Sequence, residues 1–372
     1  MPGQAPGIGA VNWGVIIIYL AGMVAIGVWA GRRVKSSRGF FVAEGRMSPL
    51  LVGLSLLGTY LSSLTMMALP GKAFGPEDFL WTIQLPFLLV TAIIITSFVL
   101  PRYRQAGVIS VYQFLEQRIH VSARLLASFC FLMLSIARMG LVLYLPALAI
   151  SQITGSRLDM TILAMGLIVT LYSVIGGVEA VIWTDAVQVV VLSAAAVLSV
   201  GYVLVDIGAA GANFGELAQG YHKFRMWEPS LNVTKLCSTW LILETIFQTV
   251  RIFGTQQDMT QRYMATDSTA KANRSVWISI LGYIPLAYMF YFIGGALYIY
   301  YAAHAAGGHP DPYITGLLAA KKPKFDAVYP YFMITRLPVG ISGLALAGIW
   351  AAAQSTISSS GKVTGQAGAG AA

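Results

Sequence analysis

Nine times along this chain an apolar stretch recurs that is long enough to cross the roughly 30 Å hydrocarbon layer of a bilayer as a helix. The stretches cover approximately residues 11–30, 49–70, 79–100, 122–152, 160–175, 180–206, 236–257, 275–302 and 328–360. Only 10% of the 372 residues are charged and 57% are hydrophobic, whereas an ordinary soluble domain carries about a quarter charged residues. The chain is therefore predicted to be all-α and polytopic, with the lipid bilayer as its first partner. The net charge of +9 does not read as a nucleic-acid surface, because Lys and Arg fall between apolar segments rather than on one basic face.

Those basic residues set an expected orientation. The first segment is followed by AGRRVKSSR and preceded by no basic residue, so it reads as a retained span and not as a cleaved signal peptide. Loops holding Arg32, Arg33, Lys35, Arg38, Arg46, Arg102, Arg104, Arg118, Arg124, Arg262, Lys271 and Arg274 alternate with loops holding Lys72, Arg157, Lys223, Arg225, Lys235 and Lys321, Lys322 and Lys324. The first set is the larger and is expected inside, which puts the N-terminus outside the inner or plasma membrane. The Lys321–Lys324 run goes against that bias, in a longer loop where the rule is weaker.

Two spans look interrupted. SLLGTYLSSLT (55–65) and FQTVRIFGTQQD (247–258) place glycine and hydroxyl or amide residues where lipid-facing side chains belong. Ordinary helix packing through glycine and serine accounts for one such span; two of them, five segments apart, point to an inverted-repeat transporter in which unwound carbonyls coordinate ions. On that division residues 1–48 are an extra N-terminal helix and basic loop. Residues 49–206 are a first five-helix repeat, and 207–360 a partial second repeat of three.

Charges inside spans mark function. Asp185, in VIWTDAVQ, is expected one or two turns into the membrane, either ionised beside a cation or protonated. The ninth segment ends in AAAQSTISSS, where Ser355, Ser358 and Ser359 share a helix face and Thr356 stands beside it. Hydroxyls, carbonyls and one carboxylate suit a small hard cation such as Na⁺; serines bonded back to their own helix are the alternative. Arg138 lies deep in the fourth segment and asks for a planar oxyanion, either a protein carboxylate or a ligand's. Glu244 and Arg251 are spaced to pair with each other. No nucleophile–base pair, metal cluster or phosphate loop is visible, which argues against an enzyme.

The stretches TYLSSLTMMALPGKAFG, YSVIGGVEAVIWTDAVQ, QQDMTQRYMATDS and AAAQSTISSS together resemble the sodium:solute symporter family, nearest its bacterial sialic-acid branch, over about residues 10–360. The resemblance implies a leucine-transporter-type inverted-repeat core preceded by one extra helix. It also implies Na⁺-coupled import of a small organic anion, an acidic sugar such as sialic acid or a related carboxylate, by a monomer. It implies a principal sodium site at the carbonyls of Gly58, Leu61 and Ala352 and the hydroxyls of Ser355 and Thr356. A second sodium site is implied at Asp185, Ser355, Ser358 and Ser359. The substrate would meet Arg138, Tyr60, Ser62, Thr65, Leu80 and Gln84. Tyr60 stands where the branch has a small hydroxyl residue, and Leu80 where it has an aromatic. Residues 361–372 are low in complexity and are expected to be disordered or to come from a shifted reading frame, leaving the second repeat incomplete. A nonfunctional truncated fragment and a solute-sensing membrane module are the alternative readings.

Overall fold

The computed structural model describes residues 9–32, 43–108, 110–209, 211, 213–232 and 234–369. Helix α1 spans Ala10–Gly31. Helix α2, Pro49–Tyr60, starts where the Ser48 hydroxyl accepts the Leu51 N–H at 3.3 Å and Pro49 takes the first helical position, whose N–H has no helical acceptor anyway. It ends where Leu61 and Ser62 turn extended (ψ 96° and 166°), and the Ser62 hydroxyl then accepts the Thr65 N–H to start α3, Ser63–Phe74. The two halves are bent by 57°, so the interruption expected in the second segment is present.

Helix α4, Leu80–Gln105, is continuous but changes its winding, tight over Leu80–Phe87 and loose over Ile95–Val99. Helix α5 is Val111–Arg118 and α6 is Val121–Thr154. The fifth and sixth segments are one element, α7, Leu158–Ala209. No loop separates them: Gly177 alone leaves helical geometry, at φ 61°, where only glycine carries no Cβ penalty. Then follow α8 (Phe214–Gly220), α9 (Ser238–Thr255), α10 (Gln257–Met264), α11 (Thr269–Ala306) and α12 (Pro312–Ala319). The chain ends with α13 (Val328–Thr335) and α14 (Ile341–Ala369).

Two expectations are corrected here, and one is refined. The ninth segment is two helices, because Pro338 and Gly340 (φ 90°) interrupt it. The interruption expected within 247–258 of the seventh is present, though not at Gly254, which is a packing glycine: a Cβ there would lie 3.4 Å from Ile95 Cδ1 on the loosely wound turn of α4. The break comes at Gln256 (ψ 131°), between α9 and α10. Residues 361–369 continue α14 as helix instead of being disordered, since adding residues to an existing helix avoids the nucleation cost.

Five helices are long and apolar enough to cross a membrane among the described residues, or six when the bent pair α2–α3 counts as one. Leu158–Leu171 and Ile341–Ser355 are apolar but shorter, and α9 carries Glu244, Gln248 and Arg251. α7 packs along α14, α1 and α2, and α11 packs along α2 and α3. Fully buried Ala345, Ala347, Ala351 and Ala353 let α14 lie close to its neighbours, as small residues do between membrane helices. On α6 Leu125, Leu126, Phe129 and Leu134 are exposed, as a lipid-facing stripe is. At the far end of α3, Lys223 donates to the carbonyls of Phe74 (3.2 Å) and Gly75 (3.0 Å), and burial makes its ammonium easier to deprotonate than a free lysine.

Gly294 of α11 lies directly against the Pro70 carbonyl of α3, so that any Cβ there would clash with backbone. Gly294→Ala is expected to destabilise by about 1–3 kcal/mol, read as a lower thermal midpoint of the detergent-solubilised protein. Gly14→Ala, where nothing lies within 4 Å, is expected to leave the midpoint unchanged or slightly raised.

Candidate functional site

The break at Leu61 and Ser62 opens a cavity of about 550 Å³ bounded by α2, α3, α4, α6, α9, α10 and α11. A volume of this size admits a small organic molecule. Three cations line it, Lys72, Arg138 and Arg251, together with one carboxylate, Glu244. The Lys72 ammonium lies 3.0 Å from the centroid of the Trp81 ring, whose Nε1 donates to Glu77 at 2.5 Å. Arg251 donates to Gln248 at 3.2 Å and not to Glu244, so the pairing expected from their spacing does not form. Neutral polar groups complete the wall. Gln84 accepts from the Thr245 hydroxyl at 2.5 Å and donates to the Tyr291 hydroxyl at 3.4 Å, while Thr91 and Thr249 share a bond at 2.5 Å.

Of the residues expected to meet substrate, Arg138, Tyr60, Thr65 and Gln84 line this cavity. Tyr60 fills space that a small residue would leave open, packing on Tyr283 (ring centroids 4.5 Å apart) and Phe253 (5.3 Å). Ser62 and Leu80 do not line it. Ser62 is used as the cap of α3, where its hydroxyl meets both the Thr65 N–H and the Thr65 hydroxyl. Leu80 is buried at the start of the tight turn of α4. Arg138 is not free of the protein: its Nη1 lies 3.5 Å from Asp258 Oδ2, the arginine side chain 28% exposed and the carboxylate 2%.

Asp185 is completely buried and is neither alone nor held only by hydroxyls. Its Oδ2 accepts from Arg262 Nη2 at 2.8 Å and from the Ser55 hydroxyl at 2.5 Å, and its Oδ1 accepts from the Ser355 hydroxyl at 2.7 Å. Arg262 Nε also donates to Ser55 at 2.7 Å, and Nη1 to the Asp258 carbonyl at 2.6 Å. The expected cation or proton on Asp185 is thus a guanidinium of the same chain. Arg262 had been counted as an orienting loop charge, yet it sits on α10, buried beneath α2. Its burial was not readable from its own neighbourhood; a polar segment directly after a span was the one available signal. Lys72 was likewise read as a loop charge and is a wall of the cavity.

In the unwound turn, the Leu61 N–H donates to the Leu57 carbonyl, which ends the helical ladder of α2 and leaves the carbonyls of Gly58 to Leu61 beyond it. A Cβ at Gly58 would lie 3.4 Å from the Asp185 carbonyl oxygen, so this turn packs directly on α7. Ala352 and Ser355 are buried on α14. The side chains of Thr356, Ser358 and Ser359 lie outside the described residues.

The sequence profile of the sodium:solute symporter family matches residues 40–365. The chain belongs to the sodium:solute symporter family. It is 33% identical over 357 residues to the sodium/sialic acid symporter SiaT of Proteus mirabilis, covering 95% of this chain and 69% of that one. It is 32% identical over 362 residues to the sodium/sialic acid symporter NanT of Aliivibrio fischeri, covering 96% and 68%. Its structure superposes, with a TM-score of 0.86 at 31% identity over 97% of this chain and 74% of the other, on a Na⁺-coupled sialic acid symporter solved in a substrate-bound outward-open state with a novel Na⁺ site. Membership of this family, with its apolar helices, makes the chain a multi-pass membrane protein.

Removing one member of the Asp185–Arg262 pair leaves a buried charge without its partner. Asp185→Asn and Arg262→Met are each expected to destabilise this symporter-family chain by about 3–5 kcal/mol. The double substitution is expected to cost markedly less than the sum, which chemical unfolding of all four proteins measures as a double-mutant cycle.

Proposed function

We propose that this chain is a Na⁺-coupled symporter that imports a small organic anion, an acidic sugar such as sialic acid or a related carboxylate. The observation that carries the reading is the position of Asp258. Its side chain reaches Arg138 in the cavity wall, and its backbone carbonyl accepts from Arg262 in the buried cluster. One residue therefore stands between an anion-attracting cavity and an oxygen-rich ion-binding region.

In this reading the substrate carboxylate takes the exposed side of Arg138, with Lys72 and Arg251 adding to the attraction and Thr65, Gln84 and Tyr60 meeting the neutral part. Ser62 shapes the turn from behind, and Leu80 does not touch substrate. The carbonyls of Gly58, Leu61 and Ala352 with the hydroxyls of Ser355 and Thr356 bind one Na⁺. Asp185, Ser355, Ser358 and Ser359 form the second ion region, where an arriving Na⁺ shares or displaces the Arg262 guanidinium. Na⁺ there and substrate in the cavity favour the same conformation of the bent helix, so each raises the affinity of the other. The N-terminus lies outside, and the core divides near residue 206 into two inverted repeats.

The test is uptake of radiolabelled sialic acid into proteoliposomes holding the purified chain. Uptake is expected only with an inward Na⁺ gradient, and equal uptake with K⁺ in place of Na⁺ overturns the reading. Arg138→Lys keeps the charge but loses the planar fork, and is expected to raise KM about tenfold, the equivalent of about 1.4 kcal/mol.

A further inference from the structure

Lys321, Lys322 and Lys324 stand between α12 and α13, on the end of the bundle expected to be outside, where the positive-inside pattern disfavours them. All three are exposed, and none is in an ion pair among the described residues. Such a run is ordinarily a solvated loop, free to turn away from any site. This one is pinned beside the cavity.

The pin is the single tight turn that follows it, Phe325–Ala327. Gly71 and Gly75, one turn apart at the end of α3, clear the space this turn fills. A Cβ on Gly71 would lie 2.9 Å from the Asp326 backbone nitrogen, and one on Gly75 would lie 2.8 Å from Phe325 Cδ2. The Phe325 ring also packs on that of Phe74, with centroids 5.7 Å apart. The lysine run is therefore fixed against the last turn of α3. That turn carries Lys72, a wall of the cavity, within electrostatic reach of the Asp326 carboxylate. The cavity follows α3 from Thr65 through Ala68 to Lys72 and meets α4 at Trp81 in its first turn, so it extends to the same end of the bundle as the lysines. Against their three charges the tight turn sets one acid, Asp326.

We propose that Lys321, Lys322 and Lys324 form a cationic rim at the mouth of the cavity that collects the organic anion before it descends to Arg138. The assignment rests on the anion-import reading given above. Charges beside a low-dielectric cleft concentrate a ligand of opposite sign and raise its rate of entry. Lys72 and then Arg138 continue the same sign inward along the cavity wall. Collection of an anion also gives a reason for basic residues on the side of the membrane that ordinarily has few of them.

The experiment reads the potential in the cavity without transport. In the full chain with both free thiols removed as Cys130→Ala and Cys237→Ser, Ala68→Cys places one thiol on the cavity wall. Its modification in detergent by an anionic methanethiosulfonate, the sulfonatoethyl reagent, and by a cationic one, the trimethylammonioethyl reagent, is followed by intact mass. Lys321→Gln, Lys322→Gln and Lys324→Gln together are expected to lower the anionic-to-cationic rate ratio about fourfold at about 0.01 M ionic strength, where charges are felt over about 30 Å. At about 1 M, where they are felt over about 3 Å, the three substitutions are expected to change nothing. A ratio they leave unchanged at low ionic strength overturns the assignment. So does a change that persists undiminished at high ionic strength, which reports a moved loop and not a lost charge. Should Ala68→Cys not fold or not react, Gln248→Cys on α9, also on the cavity wall, carries the test. Uptake of radiolabelled sialic acid by the unmodified chain separates the two readings. If the ratio falls as expected but no uptake occurs in a Na⁺ gradient, the rim stands as an anion-collecting surface and the import reading falls; if uptake occurs and the ratio does not move, the import reading stands and the rim falls.

Discussion

A carboxylate and a guanidinium buried 2.8 Å apart hold this helical assembly in register. Asp185 comes from α7 and Arg262 from α10, and the two hydroxyls that complete the carboxylate come from Ser55 on α2 and Ser355 on α14. Apolar helices in a bilayer gain little from burying one another, because lipid tails are as apolar as leucine. A charged pair has no such indifference. Any sliding of one of these four helices leaves a charge or a hydroxyl unmet at low dielectric, so the cluster specifies one relative placement among many that packing alone would tolerate.

That placement sets the cavity. α2 is fixed at its Ser55 level, and about two turns further on it unwinds at Leu61 and Ser62. α3 then leaves at 57°, carrying Thr65 and Lys72 to one wall. α10 is fixed by Arg262, which sets the Asp258 carboxylate behind Arg138. The buried cluster around Asp185 and the cavity are therefore not independent features on a common scaffold. They share the bent helix on one side and a single aspartate on the other, which is the physical connection that coupling between two ligands requires.

The pattern of twenty-residue apolar runs made the helices legible, and the glycine and serine of SLLGTYLSS made the broken helix legible, because both are local signals. The cap at Ser62 and the glycine at 177 are local too: the Ser62 hydroxyl caps α3, and Gly177 bends α7 without ending it. Arg138, Asp185 and the hydroxyls of the last helix stood out as polar groups where hydrocarbon was due. Their partners did not. Asp258 and Arg262 lie in a polar stretch where a charge attracts no notice, and nothing nearby in the chain tells that it folds back beneath α2.

By itself the sequence determined the all-helical membrane class, the family, the position of the break in the second span and the polar side chains that cannot face lipid. These follow from transfer free energy and backbone preference, which act residue by residue. Only the tertiary structure decided that Asp185 is answered by Arg262, that Arg138 is half-engaged by Asp258, that Glu244 and Arg251 stay apart, and that Lys72 faces the cavity while Leu80 does not. Each of those depends on which helix faces come together across long sequence separations. Electrostatic pairing in a low-dielectric interior is decided by distance in space, to which spacing along the chain gives no guide.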